Sequence, residues 1–353
     1  MKKKVLFYCQ SLWGVGHLVR SLYLIESLLE DFEVVLLDGG TDWGRTISRP
    51  GFTHVRLPPF VSSPNSENVT SPFGEQIDTV WAKRRNLIHA TCGQSFDVLI
   101  TEYFPFARMK FHKEVEGMLE CLRSINPSVK VFSSIRDILN ENLMEESEEK
   151  NQILRKYYHG VFVHGEKELS ILPVISKNIP IYFTGSVSSS KSYTVTDPSR
   201  ICISCGGGRY MSEFFERFKD VLHYLQNHKS EKLLLLPGPW SELKGESTLE
   251  FEVLPSNYDL EEVLAVSKLY IGTFGYNTAM AIRKFSMPSL IFPFPDFHEQ
   301  EVRFRLYQNV LPIERLDKSW HQKIQSLEKL KPHPRTIKGT EINFNKLILS
   351  LLN

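Results

Sequence analysis

The sequence predicts an α/β protein made of two doubly wound, Rossmann-like domains, and three observations predict it. Short apolar, β-branched runs alternate with segments of helical periodicity along most of the chain. The alternation stops at one polar stretch, VSSSKSYTVTDPSR, and then restarts. A chain of 353 residues is long enough for two cores of ordinary size. A 12% aromatic content and a formal net charge of +1 suit a globular chain rather than a disordered one, and leave no basic footprint for nucleic acid.

Taken in order, the run KVLFYC is the first strand, and the glycine-rich turn GVGH leads from it into a helix. That helix places Leu18, Leu22, Ile25 and Leu29 at i, i+4, i+7 and i+11, one apolar face, and sets His17, Arg20 and Ser21 together on another. FEVVLLD, FDVLITE, KVFSSI and HGVFVH read as further strands of the same domain. The polar stretch puts a linker near residues 186 to 199. ICISC, KLLLLPG, FEVL, KLYIGT and SLIFPF are then the strands of the second domain. The expected boundaries are an N-terminal domain over 1–186, a C-terminal domain over 200–330, and a tail or helix over 331–353 that packs back on the N-terminal domain. Five cysteines are an odd number scattered through apolar segments, which favours reduced thiols in the cytoplasm. Cys202 and Cys205 form a CxxC inside a strand with no second pair to complete a zinc site, so both read as structural.

Three loops carry the chemistry. Gly14 and Gly16 sit between strand and helix, where backbone can approach a ligand closely and a helix N-terminus favours negative charge. His17 then stands at the mouth of an inter-domain cleft; its plainer role would be to cap the helix or fill a surface gap. Gly206, Gly207 and Gly208 follow ICISC and precede a helical segment, an arrangement that leaves backbone N–H groups to cradle phosphate. In GTFGYNTAMAI, Gly275 turns the chain, Tyr276 follows it, and Asn277 or Thr278 caps the next helix within reach of a phosphate. The strand SLIFPF ends at PDFHEQEVR, placing Glu299 and Gln300 at the carboxyl edge of the second sheet, where ligands of open α/β sheets bind.

GVGHLVRS, LITEYFPFAR, SSIRDIL, CGGG, GYNT and the EQ of PDFHEQEVRFR, in this order over about residues 4 to 310, resemble the GT-B glycosyltransferases. More specifically, the chain resembles bacterial predicted glycosyltransferases related to family 28 and to the peptidoglycan-precursor N-acetylglucosaminyltransferase. The resemblance implies two Rossmann-like domains facing a cleft, with acceptor on the first domain and nucleotide diphosphate on the second. It also implies metal independence, and no DxD carboxylate pair stands in the sequence to bind a metal. Inverting transfer needs a base and a stabilised leaving group. His17 is the candidate base, and Glu102 the acid that orients it, its plainer role being to pair with Arg108 or Arg136. Gly14, Gly16, Arg20 and Arg136 fall on the acceptor side. Gln300 resembles the residue that bonds donor-sugar hydroxyls, and the backbone near Leu254 the loop that reads the base. Relatives put a glutamate on the ribose where this chain has Ala281, so that contact is expected to be missing.

The implied activity is transfer from a nucleotide-diphosphate sugar, UDP-linked by resemblance, with no separate cofactor. The acceptor is unidentified, with a lipid-linked molecule or a glycan as the classes the relatives use. GxGHxxR also resembles UDP-sugar hydrolases of nonulosonic-acid biosynthesis, where the same histidine would activate water. A third reading, resting on Ala281, is a non-catalytic sugar-nucleotide-binding protein. No apolar run is long enough to span a bilayer, and the basic opening MKKK precedes too short an apolar stretch for a signal peptide. The expected location is the cytoplasm, with a peripheral place at the inner membrane face for a lipid-linked acceptor.

Overall fold

The structure, a computed structural model, describes every residue except 1, 13, 63–67, 140–146, 173–178, 196–197, 208–210, 229, 240–249, 296, 331–334, 339–342 and 353. The chain divides into two compact units, Met1–Val187 with Glu341–Asn353, and Ser188–Thr340.

The first unit is a parallel sheet of β1 (Lys3–Cys9), β2 (Phe32–Asp38), β3 (Phe52–Arg56), β4 (Val98–Glu102), β5 (Lys130–Arg136), β6 (Gly160–His164) and β7 (Ile181–Phe183). They lie in the order β3-β2-β1-β4-β5-β6-β7. Helices α1 (Gly16–Leu28), α2 (Ile77–Cys92), α3 (His112–Ile125) and α4 (Glu148–Tyr157) make the crossovers. Every residue of β4 and of β6 is buried, as expected of strands covered on both faces. β3 lacks the apolar run of the other strands, and its residues FTHVR carry polar side chains because the strand lies at the sheet edge.

Helix α1 departs from its expected one-sided pattern, since Arg20 and Ser21 are buried along with the leucines. The C-terminal helix, Phe344–Leu352, packs beside α1. Its Asn345 donates to Glu30 and Asp31 at 3.1 and 2.6 Å, and Phe344 sets its ring edge-on to Phe162 at 4.8 Å. Arg20 is buried against the carboxylate of Glu102.

The second unit repeats the plan. Its sheet contains β9 (Arg200–Ser204), β10 (Lys232–Leu236), β11 (Glu252–Val253), β12 (Ser267–Gly272), β13 (Ser289–Ile291) and β14 (Ile313–Arg315), in the order β11-β10-β9-β12-β13-β14. Helices α5 (Met211–His228), α6 (Leu260–Ala265), α7 (Tyr276–Phe285), α8 (His298–Tyr307) and α9 (Trp320–Glu328) complete it. The stretch expected as a linker contains a short strand, β8 (Tyr193–Val195), paired antiparallel with β15 (Arg335–Ile337). In both sheets the strand order reverses once, between β1 and β4 and between β9 and β12, so each unit has one switch point where a ligand crevice opens at the strand C-termini. Cys202 and Cys205 are buried and free, and burial raises both thiols, which keeps them protonated.

Candidate active site

At the first switch point, β1 runs through Gln10 and Gly14 into α1, and β4 ends on Glu102. His17, in the first turn of α1, sets Nδ1 2.9 Å from Glu102 Oε1. Helix α1 has no side-chain cap, so His17 is not spent on capping. Glu102 is fully buried and accepts from three sides: His17 and Arg20 on Oε1, and the Ser134 hydroxyl on Oε2 at 2.8 Å. The cation there is Arg20, three residues after His17 on the same face of α1.

The protons in this network follow from what each neighbour can do. A carboxylate only accepts, so Nδ1 of His17 carries a hydrogen. A guanidinium only donates, and Arg108 Nη2 lies 3.3 Å from Nε2, so Nε2 holds the lone pair. Ser134 gives its single proton to Glu102 and must accept from His164 Nε2 at 2.8 Å, which leaves His164 Nδ1 to accept from Thr184 at 2.8 Å. One neutral imidazole tautomer of His17 is thereby fixed from both sides.

Burial is the largest influence on His17 and lowers its pKa well below the usual histidine value; Arg108 and Arg20 add to this against the pull of Glu102. Burial alone would raise the Glu102 carboxyl, but Arg20 and the bond from His17 outweigh it and hold it well below the carboxylate range. At neutral pH the pair is a neutral imidazole beside a carboxylate. The ring of His17 stands edge-on to Tyr103, with centroids 4.7 Å apart, and Arg136 lies 5.5 Å from the same Tyr103 ring. Gly14 has no neighbouring atom within 4 Å of where a Cβ would be, and Gly16 opens α1.

Buried His164 supplies a test of this electrostatics. Burial pushes it down to about 3. The unfolded chain takes up its proton below about 6.5 and the native state does not, so stability is fully present above that pH and is lost as pH falls towards 3. The free energy of urea unfolding is expected to fall from pH 6.5 downward by up to about 1.4 kcal/mol per pH unit for such a histidine, and His164→Gln is expected to flatten that slope.

At the second switch point the loops after β9 and β12 meet. Gly206 adopts φ +64°, which favours glycine, and a Cβ there would lie 3.7 Å from the Thr273 hydroxyl. Gly272 allows no side chain, because its Cβ would fall 1.8 Å from the Ser204 carbonyl oxygen. The Tyr270 hydroxyl donates at 3.0 and 3.1 Å to the carbonyls of Ser204 and Thr273, bracing the two strand ends. A Cβ on Gly238, after β10, would strike the backbone of Gly206 and Gly207, so this third loop is packed against the first. Gly208 lies outside the described residues. Gly275 is the N-cap of α7 and has open space around it, with Tyr276, Asn277 and Thr278 forming the first turn; Asn277 is half-buried and Tyr276 and Thr278 are buried. Leu254 is half-buried and its amide bonds the Leu235 carbonyl at 2.9 Å.

Helix α8 holds this loop from behind. Gln300, expected to meet sugar hydroxyls, uses its side-chain oxygen to accept from the backbone amides of Phe274 and Phe294, both at 3.3 Å. Arg303, which the sequence reading missed, is fully buried and donates to the Phe274 carbonyl at 3.3 Å. Its spacing from Gln300 on α8, i and i+3, was the available signal. Glu299 is buried beside them. Ala281, expected to face a ribose, is 2% exposed and packs inside the molecule. Gln300→Ala would strand two buried amides, at about 1–3 kcal/mol each, and should weaken a bare nucleoside diphosphate and its sugar conjugate alike in calorimetry. A loss confined to the conjugate would instead place Gln300 on the sugar.

Among the described residues, no group of three or more His, Cys, Asp or Glu is placed to hold a metal ion, and no helix is long and apolar enough to cross a membrane.

No protein-family model matches the chain, and no curated protein sequence does. Solved structures match along its whole length. UGT2 of Phytolacca americana, solved with UDP-2-fluoro-glucose and pterostilbene, is 12% identical with a TM-score of 0.58, covering 99% of this chain and 93% of its own. The spinosyn forosaminyltransferase is likewise 12% identical at 0.58 with the same coverage. A UDP-glucosyltransferase from Polygonum tinctorium capable of glucosylating indoxyl is 13% identical at 0.56, covering 100% and 92%. The chain has the GT-B fold of these glycosyltransferases.

Proposed function

We propose that the protein is a metal-independent, inverting glycosyltransferase that moves a sugar from a nucleotide-diphosphate donor, UDP-linked, to an acceptor hydroxyl. The observation that carries this reading is the pairing of His17 with Glu102 at the switch point of the first unit, with the tautomer that leaves Nε2 a lone pair. In the reaction, the acceptor O–H gives its proton to Nε2 as the oxygen forms a bond to the anomeric carbon. The bond from that carbon to the diphosphate oxygen breaks, and its electron pair leaves with the diphosphate. The imidazolium formed is stabilised by Glu102, which already carries negative charge, and later returns its proton to solvent.

Support for the donor comes from the second unit and from the structures of like fold. Gly206, Gly207 and the open N-cap at Gly275 bring backbone and a helix N-terminus to one strand edge, the arrangement that favours phosphate. One structure of the same fold holds UDP-2-fluoro-glucose, and another is of a UDP-glucosyltransferase. A screen of nucleotide sugars for thermal stabilisation, followed by mass detection of products from the best binder, tests the reading. A glycosylated acceptor supports it. Free sugar released with or without any acceptor would make the protein a hydrolase, and binding with neither outcome would make it a binding protein.

A further inference from the structure

Gln10 directly follows β1 and is fully buried. Its side-chain amide donates to the carbonyls of Gly39 at 2.8 Å and Ser11 at 3.0 Å, and its side-chain oxygen accepts from Arg84 Nη2 at 2.8 Å. One side chain thus joins the loops after β1 and β2. Gly39 leaves it no slack, since a Cβ there would fall 1.9 Å from the Gln10 side-chain oxygen. The backbone carbonyl of Gln10 has another partner. It accepts from Arg108 Nε at 2.9 Å, and the same guanidinium sets Nη2 3.3 Å from His17 Nε2.

Behind Gln10 stands a buried ion pair. Arg84 of α2 meets Glu114 of α3 through two bonds, Nε to Oε2 at 2.8 Å and Nη2 to Oε1 at 2.6 Å, a fork that fixes the plane of the guanidinium. Tyr8 of β1 donates to the same carboxylate at 2.7 Å. The rings of Phe60, Trp81 and Phe111 lie 5.1, 5.8 and 5.5 Å from the guanidinium carbon. A buried pair of this kind adds little net stability over apolar packing of the same volume. Beyond Glu114 and Tyr8, the bonds of Arg84 run to the Pro58 carbonyl at 2.8 Å and to Gln10, so what the pair fixes is the loops after β3 and β1.

We infer that Gln10 is a positioning residue for the proposed base: braced by Arg84 and Glu114, it holds Arg108 against His17 Nε2 and so keeps that nitrogen free of a proton until an acceptor hydroxyl binds. The inference rests on the reading of His17 as the base. The groups that face the ring are Glu102 from β4, Arg20 from α1 itself, Arg108, and Tyr103, with Arg136 beside the Tyr103 ring and His164 behind Ser134. Arg20 is paired with Glu102, whereas Arg108 is the cation at the nitrogen that takes the proton. Its charge opposes protonation of the ring there, together with burial. Gln10 carries no charge, so whatever it does to the ring's affinity for a proton it does by placement.

The test follows the 15N resonances of His17 in the full chain, labelled at histidine, from neutral pH down to the acid limit of folding, with the signal assigned by its loss in His17→Ala. The wild-type ring should stay neutral over most of that range. Arg108→Met removes the cation and should raise the pH at which the ring takes up a proton by about one to two units. Gln10→Met changes no charge and should raise it in the same direction, by about half a unit or more. On the Arg108→Met background Gln10→Met should add nothing, since the residue through which it acts is gone. Gly39→Ala is a second route to the same end, because the new methyl group displaces the Gln10 side chain and also changes no charge. Four results would overturn the inference: an unmoved midpoint in a folded Gln10→Met or Gly39→Ala protein, an equal rise with and without Arg108, no rise in Arg108→Met itself, or loss of the fold in both Gln10→Met and Gly39→Ala, which would make Gln10 structural. The base assignment is read separately, from the acid limb of turnover against pH. A limb that ignores a shifted midpoint would remove His17 from the chemistry and leave its placement by Gln10 and Arg108 intact.

Discussion

Replacing His17 with alanine should lower turnover by about 10²–10⁴-fold while leaving nucleotide binding nearly intact, because a positioned general base contributes that much and the glycine loops proposed for the donor belong to the other unit. The fold should tolerate the change. The ring is 19% exposed and its hydrogen bonds lie at the edge of the network, so removing it leaves Glu102 still bonded to Arg20 and Ser134. The measurement is single-turnover product formation with saturating donor, beside calorimetry of the nucleoside diphosphate. Near-normal turnover would remove His17 from the chemistry. Equal losses in turnover and donor binding would mean that the ring supports structure rather than proton transfer.

How much of this was legible in the sequence depends on how far apart in the chain the partners lie. Glu102 ends one apolar run and His17 opens the helix that follows another, and strand order then brings them to one edge. Arg20 was readable as a neighbour of His17 through helix spacing, but its use as the cation for Glu102, 82 residues away, was not. The sequence offered Arg108 and Arg136 as cations for Glu102, and Arg20 as a ligand-side residue. The left-handed conformation at Arg108 turns its guanidinium to the far nitrogen of the ring, which no propensity encodes for an arginine. Ser134, His164 and Thr184 were invisible for a related reason. They lie inside β5, at the end of β6 and just beyond β7, three neighbouring strands whose adjacency is set by the order of the sheet. In the second unit the glycines gave the loops away, since close backbone contact leaves a mark in composition. Gln300 stays ambiguous in the sequence, because a side chain with both donor and acceptor can serve a ligand or its own backbone and the letter is the same.

Glu102→Gln should be the more damaging substitution to the protein as a whole. The amide keeps the shape of the carboxylate but not its charge, and Arg20, 2% exposed, would lose its pairing with that carboxylate; breaking a buried ion pair costs about 3–5 kcal/mol. The amide must also choose which way to face. With its oxygen toward His17, the tautomer survives but the imidazolium loses its stabilising charge; with its NH2 toward His17, Nδ1 must accept and Nε2 must carry a hydrogen, turned against Arg108. Either way turnover should fall by about 10²-fold or more, as when the orienting acid of a catalytic triad is neutralised. The pH dependence separates these effects from a simple packing defect. Because the folded-state value of Glu102 is depressed below 4.5, its contribution to stability is fully present above that pH and is lost as pH falls towards the lower value. Urea unfolding of the wild type and the variant should therefore differ by several kcal/mol at pH 7 and converge as both are taken below about pH 4. A difference that stays constant across that range would mean that the charge on Glu102 stabilises nothing, and that the carboxylate does not hold His17 in the way the geometry requires.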